Sequence, residues 1–359
     1  MHYENSKYTL LMRGKTLKSS LVLILMLLGI YAFSQQEKSY KIASIAFYNL
    51  ENLFDTINQE GVNDYEFTPE GPKQWNSQRY WEKSNNMAKV IANIATDITP
   101  DGPAILGVSE IENISVLEDL VKNNQISSRN YQIVHYDSPD RRGVDVGLLY
   151  NPTYFTVTNS QSRRLTIEGM DDFLTRDQLV VSGIFDGEPM HFIVVHWPSR
   201  YGGEKRSRPL RNAAAQLSRS IIDSLLAINP EAKVVLMGDY NDDPNNESVR
   251  KYLNASCKTN LKADQLYNPT EPLFKKGIGS LAYRDNWNMF DQHVITQSWL
   301  EEDRSTYRFY QAKVFSKPWM KQKEGSYKGY PNRTFVGGKY MAGYSDHFPT
   351  YLLIIKEVQ

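Results

Sequence analysis

Apolar residues fall along this chain in short, nearly unbroken runs. The sharpest of them predict strands at residues 42–48, 104–108, 131–135, 144–150, 179–184, 191–196, 233–237, 292–295 and 350–355. Unbroken rather than alternating apolarity suits strands covered on both faces, as when sheets lie between layers of helices. Two other segments repeat at helical spacing. Tyr80, Met87, Val90, Ile91 and Ile94 mark one face of a helix over about 77–95. Ala213, Ala214, Leu217, Ile221, Leu225 and Leu226 stripe a second over about 210–228, closed by Asn229-Pro230. Residues 265–288 show little periodicity and read as a long loop beside the site. No repeat, low-complexity tract or Pro/Ser-rich linker divides residues 40–359, so one domain is expected.

The first residues stand apart from this pattern. Lys7, Arg13, Lys15 and Lys18 precede an uncharged apolar run over 21–33, and Ala32-Phe33-Ser34 places small residues where a signal peptidase reads. A signal peptide over 1–34 is expected, with Met12 as an alternative start. The domain would then span 35–359 and be secreted or periplasmic. The run is short for a membrane span, so no stable span is expected after cleavage. Residues 1–34 hold four of the 41 basic and one of the 41 acidic residues, leaving 37 and 40, a net charge of −3. That balance argues against holding nucleic acid by bulk charge, while a local basic patch could still grip a phosphate. Cys257 is the only cysteine, so no intramolecular disulfide is available and the core must hold the fold. An exported chain of this kind fits a bacterial envelope.

Candidate chemistry sits at the C-terminal ends of the apolar runs, where an open α/β sheet presents ligand-facing side chains. Residues 45–48 lead to Asn49 and Glu51, 105–108 to Ser109, Glu110 and Glu112, 194–195 to His196, and 235–237 to Asp239 and Asn241. In Gly238-Asp239-Tyr240-Asn241, strand alternation points the carboxylate and the amide the same way. Asp239 could take a proton from attacking water while Asn241 holds that water or a phosphoryl oxygen. The same residues also suit a plain turn. Glu110 is the leading oxygen ligand for a hard cation such as Mg²⁺, with Glu112 its competitor. His196 opens a loop with Trp197, Arg200, Gly202 and Gly203, in which Arg200 could contact phosphate in two-pronged fashion. Lys205–Arg208 read as a solvated charged stretch. Arg142, beside the 144–150 strand, is a second phosphate candidate. Asp346 and His347 are neighbours entering the last strand. Their side chains should diverge, leaving His347 to be oriented by a separate acid, for which Asp291 is the candidate.

Taken in order, Tyr48-Asn49, Gly107-Val108-Ser109-Glu110, Gly147-Leu148-Leu149, His196, Gly238-Asp239-Tyr240-Asn241, Asp291 and Ser345-Asp346-His347-Phe348-Pro349 resemble the endonuclease/exonuclease/phosphatase superfamily, the deoxyribonuclease I-like fold. The resemblance implies a four-layered α/β sandwich, two packed mixed β-sheets with outer helices. It implies that Glu110 binds a divalent metal, Mg²⁺ first and Mn²⁺ or Ca²⁺ as alternatives, with help from Asn49 and Asp346. Asp239 and Asn241 would position or activate water, Asp291 would orient His347, and His196 and His347 would flank the scissile phosphate. Arg142 departs from the family pattern, standing near where some nucleases carry a tyrosine or arginine just before the strand. Tyr240 replaces the phenylalanine or leucine of many relatives, a change expected to concern packing only. The activity implied is that of a nuclease or related phosphodiesterase acting on a phosphate ester, DNA or RNA among the options. A phosphatase or a sphingomyelinase- or phospholipase-type hydrolase on the same scaffold is the alternative, and an inactive binding module a more remote one. No protein partner is inferred.

Overall fold

The computed structural model describes residues 38–358 apart from 259, so the expected signal peptide lies outside the described residues. In chain order the strands are β1 (Ser39–Leu53), β2 (Ile105–Ile111), β3 (Gln132–His135), β4 (Asp145–Tyr150), β5 (Phe155–Arg163), β6 (Gln178–Phe185), β7 (Glu188–His196), β8 (Lys233–Asp239), β9 (Ala255–Ser256), β10 (Leu266–Tyr267), β11 (Leu281–Tyr283), β12 (Asn286–Asn288), β13 (Asp291–Ile295), β14 (Arg308–Val314), β15 (Phe335–Val336), β16 (Lys339–Tyr340) and β17 (Thr350–Val358). The α-helices are α1 (Ser77–Asn93), α2 (Ile114–Val121), α3 (Glu204–Ile228) and α4 (Glu271–Lys275). Lys41–Lys356 form one compact unit. The described residues flanking it meet through an ion pair of Lys38 and Glu357, 2.8 Å long. No helix among the described residues is long and apolar enough to cross a membrane.

Two sheets carry the fold, one ordered β14-β17-β1-β2-β4-β3 and the other β5-β6-β7-β8-β13-β10-β9. Both are mixed: β1 runs parallel to β2 and β7 parallel to β8, while β2–β4, β6–β7 and β8–β13 are antiparallel. Side-chain alternation explains why the runs had to be apolar throughout. Ile45, Phe47, Ile105, Phe192, Val194, Val235 and Met237 point into one buried layer between the sheets. Their neighbours Ala46, Tyr48, Leu106 and Val108 pack with Met87, Val90 and Ile91 of α1 and Leu117 of α2. On the far side Ile193, Val195, Val234 and Leu236 pack with Ala214, Ala215, Ile221 and Ile222 of α3. The result is helices, sheet, sheet, helix: the four-layered α/β sandwich.

Every predicted run lies in or overlaps a strand. β5, β14 and β3 are edge strands, and the first two alternate or are largely polar, so a search for apolar runs passes over β5 and β14. Residues 265–288 are not one loop. β10 pairs with β13, α4 follows, and β11 and β12 form a hairpin, elements too short to carry a periodic signal. Lys205–Arg208 are also not loop. Gly202 (φ 76°) and Gly203 (φ 108°) end the preceding segment, so α3 starts at Glu204, and Pro209 sits within it.

Gly238 shows how closely β7 and β8 approach: a Cβ there would collide with the Val195 carbonyl oxygen. Gly238→Ala is therefore expected to cost about 1–3 kcal/mol of stability, measured by thermal or urea unfolding. An unchanged melting temperature would show that the strands can part at no cost.

Candidate active site

The two parallel pairs β1–β2 and β7–β8 are each joined by a helical crossover, so their C-terminal ends meet at one rim of the sandwich. Asn49 and Glu110 come from the first pair, His196 and Asp239 from the second. Register adds the rest: His196 and Asp239 are cross-strand partners, and Asp291, opening β13, lies opposite Asp239 on its other side. The bend before β17 brings Asp346 and His347 over this rim.

Asp239 is the hub. Its Oδ2 accepts a hydrogen bond from Asn49 Nδ2 (3.1 Å), and its Oδ1 accepts the Asn241 backbone N–H (2.8 Å). The same Oδ2 stands 3.6 Å from His196 Nε2 and 3.9 Å from His347 Nε2. Both separations exceed a hydrogen bond and leave the two imidazoles facing a shared gap. Glu110 Oε1 lies 3.9 Å from His196 Nε2, while its Oε2 accepts the Asn52 N–H at 3.1 Å. Asp291 Oδ2 holds His347 Nδ1 at 2.6 Å. Two triads, Glu110 with His196 and Asp239, and Asp239 with Asp291 and His347, are close enough to share a cation.

Burial sets the charges. It raises the Asp239 carboxyl to about 7, with Asp291 and Glu110 adding to the rise and His347 opposing it. Burial also opposes a charge on His347, yet Asp291, Asp346 and Asp239 hold its pKa well above 6.5. His196 goes the other way. Burial, then the charges of Arg176, Arg142 and His347, push it well below 6.5, and its buried Nδ1 has no hydrogen-bond partner among the described residues. The site thus pairs a neutral imidazole with an imidazolium across a carboxylate poised near neutrality.

Backbone strain fixes several of these side chains. Glu51 (φ 49°), Asn52 (φ 56°), Glu110 (φ 58°) and Asn241 (φ 51°) occupy the left-handed region, each at a cost of about 1–3 kcal/mol. These kinks overturn two expectations built on strand alternation. Glu110 and Glu112 do not share a side: the irregular register after Ser109 turns Glu110 to the rim, while buried Glu112 accepts the Asp55 N–H at 2.6 Å. Asn241 lies past the end of β8, and its amide donates to the Trp197 carbonyl (3.0 Å) rather than following Asp239 by alternation. Asp346 and His347 do not diverge either. They occupy a bend rather than a strand, which leaves Asp346 Oδ1 3.9 Å from His347 Nε2.

The arginines are rearranged as well. Arg200 does not present a free guanidinium. It donates to the Asn241 carbonyl (2.9 Å), Asp242 Oδ1 (3.1 Å) and Asn246 Oδ1 (3.2 Å) and stacks on Phe290, bracing the loop behind Asn241. Arg142 is half exposed, 3.6 Å from Asp140, and its charge reaches His196. Buried Arg176, unnoticed in the sequence, bonds Asp140 (3.0 Å) and the Trp197 carbonyl (2.7 Å). Tyr240 is a packing residue as expected, stacked on Trp197 with ring centroids 4.3 Å apart and its hydroxyl donating to the Leu236 carbonyl.

Behind these residues lies a second layer, of which the sequence offered only Glu51 as a candidate. Glu51 is buried, 2.9 Å from Arg333 Nε and 3.9 Å from Lys83 Nζ, and burial lifts it to about 7. Arg333 also reaches Asp346 at 2.9 Å. Lys83 was detectable: it lies three residues after Tyr80 and four before Met87, a lysine inside the apolar stripe of α1. Arg333 has no such signal, since it joins the site from an irregular segment.

A family model described as Endonuclease/Exonuclease/phosphatase family matches residues 44–356. Comparison with curated proteins gives no match. Three similar solved structures illustrate the fold. One is an endonuclease/exonuclease/phosphatase family protein from Bacteroides thetaiotaomicron, 14% identical over 90% of this chain and 98% of that one, with a TM-score of 0.53. The D. rerio TDP2 complexed with single strand DNA product is 14% identical over 88% and 99%, TM-score 0.51. The human Nocturnin catalytic domain with bound sulfate anion is 14% identical over 90% and 98%, TM-score 0.51. At such identities the likeness speaks for the fold alone.

Proposed function

Because the chain belongs to the Endonuclease/Exonuclease/phosphatase family of metal-dependent phosphoesterases, we propose that it is an exported phosphodiesterase of nuclease type, using Mg²⁺ and attack of water on phosphorus. The observation that carries this reading is the gap between His196 Nε2 and His347 Nε2, with Asp239 Oδ2 3.6 and 3.9 Å from them. A phosphoryl group set there meets a base, a cationic donor and a neutral imidazole at once. Asp239, near neutrality, accepts the proton of the attacking water. His347, held charged by Asp291, donates to an oxygen on which negative charge grows. His196 binds a second phosphoryl oxygen. Asn241 and Asn49 keep the Asp239 carboxylate in one orientation.

The donors present fit a hard divalent cation: Glu110 and Asp346 are carboxylates, Asn49 adds an amide, and among the described residues Glu110 Oε1 has no hydrogen-bond partner nearer than the 3.9 Å contact to His196. These three residues would hold the ion, which when bound supplies Lewis-acid stabilisation of phosphoryl charge. Mn²⁺ and Ca²⁺ are alternative occupants.

Hydrolysis of bis(p-nitrophenyl) phosphate and of plasmid DNA or RNA by the purified protein tests the reading. Activity is expected with Mg²⁺, lost on addition of EDTA and restored by excess Mg²⁺. Hydrolysis confined to phosphomonoesters would replace it by a phosphatase, and activity insensitive to chelation would sink it. The exported part rests on residues 1–34, and sequencing the N-terminus of the cell-derived protein checks it. A first residue at Gln35 is expected, whereas a retained Met1 or Met12 would contradict cleavage.

A further inference from the structure

Arg333 and Asp346 both belong to the excursion between β14 and β17, and their side chains meet there, Arg333 Nη2 standing 2.9 Å from Asp346 Oδ2. Holding two such segments at a fixed separation costs conformational entropy that something must offset. Helix α1 supplies the contacts. Lys83, whose side chain has no exposed surface, donates to Thr334 Oγ1 (2.7 Å) and to the Tyr344 carbonyl. Thr334 follows Arg333 directly, and Tyr344 stands two residues before Asp346. About one turn further along α1, Asn86 Nδ2 donates to the Ala342 and Gly343 carbonyls, each at 3.1 Å. One buried ammonium thus fixes both pieces of chain from which the ion pair projects.

Glu51 closes the network from the side of β1. Its Oε1 accepts Arg333 Nε (2.9 Å), its Oε2 accepts the Thr334 N–H (2.8 Å), and its own N–H donates to Asn49 Oδ1 (2.9 Å). The guanidinium therefore acts as a fork, Nε on Glu51 and Nη2 on Asp346, which a lysine ammonium cannot reproduce. A brace for the fold alone needs no such charges. Two acids and two bases drawn out of water lose hydration, and apolar residues of similar size serve stability as well or better. What the arrangement supplies is direction. With Oδ2 taken by Arg333, Asp346 keeps Oδ1 on the side of His347, 3.9 Å from its Nε2.

Resting on the metal-dependent reading above, we propose that Arg333 is a positioning residue for the divalent cation. It clamps Asp346 by Oδ2 so that Oδ1 faces the ion, and Lys83 and Glu51 hold the clamp. Two effects oppose each other here. A guanidinium repels a nearby cation, whereas a carboxylate already aligned binds one without giving up rotamer freedom. Within the network Glu51 and Asp346 balance Lys83 and Arg333, which offsets the repulsion, so alignment decides the sign.

The test titrates Mn²⁺ alone into the metal-free protein and reads the EPR signal of the free ion, so it needs neither substrate nor turnover. Arg333→Gln and Arg333→Lys are compared with the parent. The Arg333 side chain is half exposed, so both variants should keep the fold, which thermal unfolding in EDTA checks. The Kd for Mn²⁺ should rise about 10- to 100-fold in both, because lysine restores the charge and not the fork. With bis(p-nitrophenyl) phosphate, the Mg²⁺ concentration for half-maximal rate should rise by a like factor, and kcat should recover toward the parent value at saturating Mg²⁺. Unchanged Kd values would overturn the proposal. So would tighter Mn²⁺ binding by Arg333→Gln, the mark of a guanidinium that only repels the ion, or a parent-like Arg333→Lys, the mark of charge without geometry. Unfolding of both variants would likewise place Arg333 in the fold and not at the ion. A parent that hydrolyses diesters in Mg²⁺, with variants that bind Mn²⁺ as it does, would sink the clamp and leave the phosphodiesterase reading standing. Weakened Mn²⁺ binding by both variants of a protein inert toward every diester would uphold the clamp and sink that reading instead.

Discussion

Asp239→Asn is expected to lower kcat about 100- to 10,000-fold, the usual span for loss of a positioned base, while leaving the fold intact and more resistant to heat at alkaline pH in chelator. The activity loss follows from chemistry alone. Asparagine has the same shape and can still accept the Asn241 N–H, at the loss of the hydrogen bond from Asn49, but it cannot take a proton. The stability gain follows from burial. The Asp239 carboxyl titrates near 7 in the folded protein, against an ordinary value of 3.8, because burial disfavours its charged form. Between those two pH values the unfolded chain has released the proton and the folded protein still binds it. Stability therefore falls as pH rises through that window, and above about 7 the folded protein carries the full cost of a buried charge. The amide of the variant carries none of it. Melting temperatures in EDTA should be nearly equal near pH 4 and diverge in favour of the variant by pH 8. Full activity, or a variant less stable than the parent at pH 8, would show that Asp239 is neither the base nor strained by burial. Such opposition between function and stability is expected where catalytic carboxylates converge.

The same physics explains how much of the fold and site the residues reveal by themselves. Strands buried on both faces have nowhere to place a polar side chain, so β1, β2, β7 and β8 stand out as apolar runs and their ends as the places where polarity returns. This made Asn49, Glu110, His196 and Asp239 visible as neighbours from the sequence, and Asp291 as the partner of His347. Alternation failed just past those ends, because Glu51, Asn52, Glu110 and Asn241 adopt left-handed backbone conformations that no periodic template contains. Side chains arriving from irregular segments were equally hidden. Arg176 follows a loop and Arg333 lies in the long excursion between β14 and β17, and each acts through contacts remote in sequence. Lys83 was legible in principle, as a charge where the stripe of α1 calls for an apolar residue. Arg200 misled for the opposite reason. Closeness to His196 along the chain says nothing about which acid claims the guanidinium, and Asp242 does.

Asp291→Asn should produce the second large effect, a fall in kcat of about 100- to 10,000-fold that deepens as pH rises. His347 is buried, and burial alone would drive its pKa below 6.5; the Asp291 carboxylate, 2.6 Å from Nδ1, is the leading reason it stands well above that value. Replacing the carboxylate by an amide keeps a hydrogen-bond acceptor and removes the charge. The imidazolium should then be lost at or below neutral pH, so the alkaline limb of the kcat profile moves to lower pH. Stability changes sign in parallel. In the parent protein the raised His347 pKa contributes stability that is complete below 6.5 and is lost as pH rises through the folded value. In the variant the buried ring resists protonation, so stability falls on acidification instead. A double-mutant cycle separates this account from simple damage to the fold. If Asp291 acts through the imidazole, Asp291→Asn should cost little once His347→Ala has removed it. Additive losses, or a profile that keeps its alkaline limb, would mean that Asp291 serves the reaction by another route, through Asp239 across the strand pair.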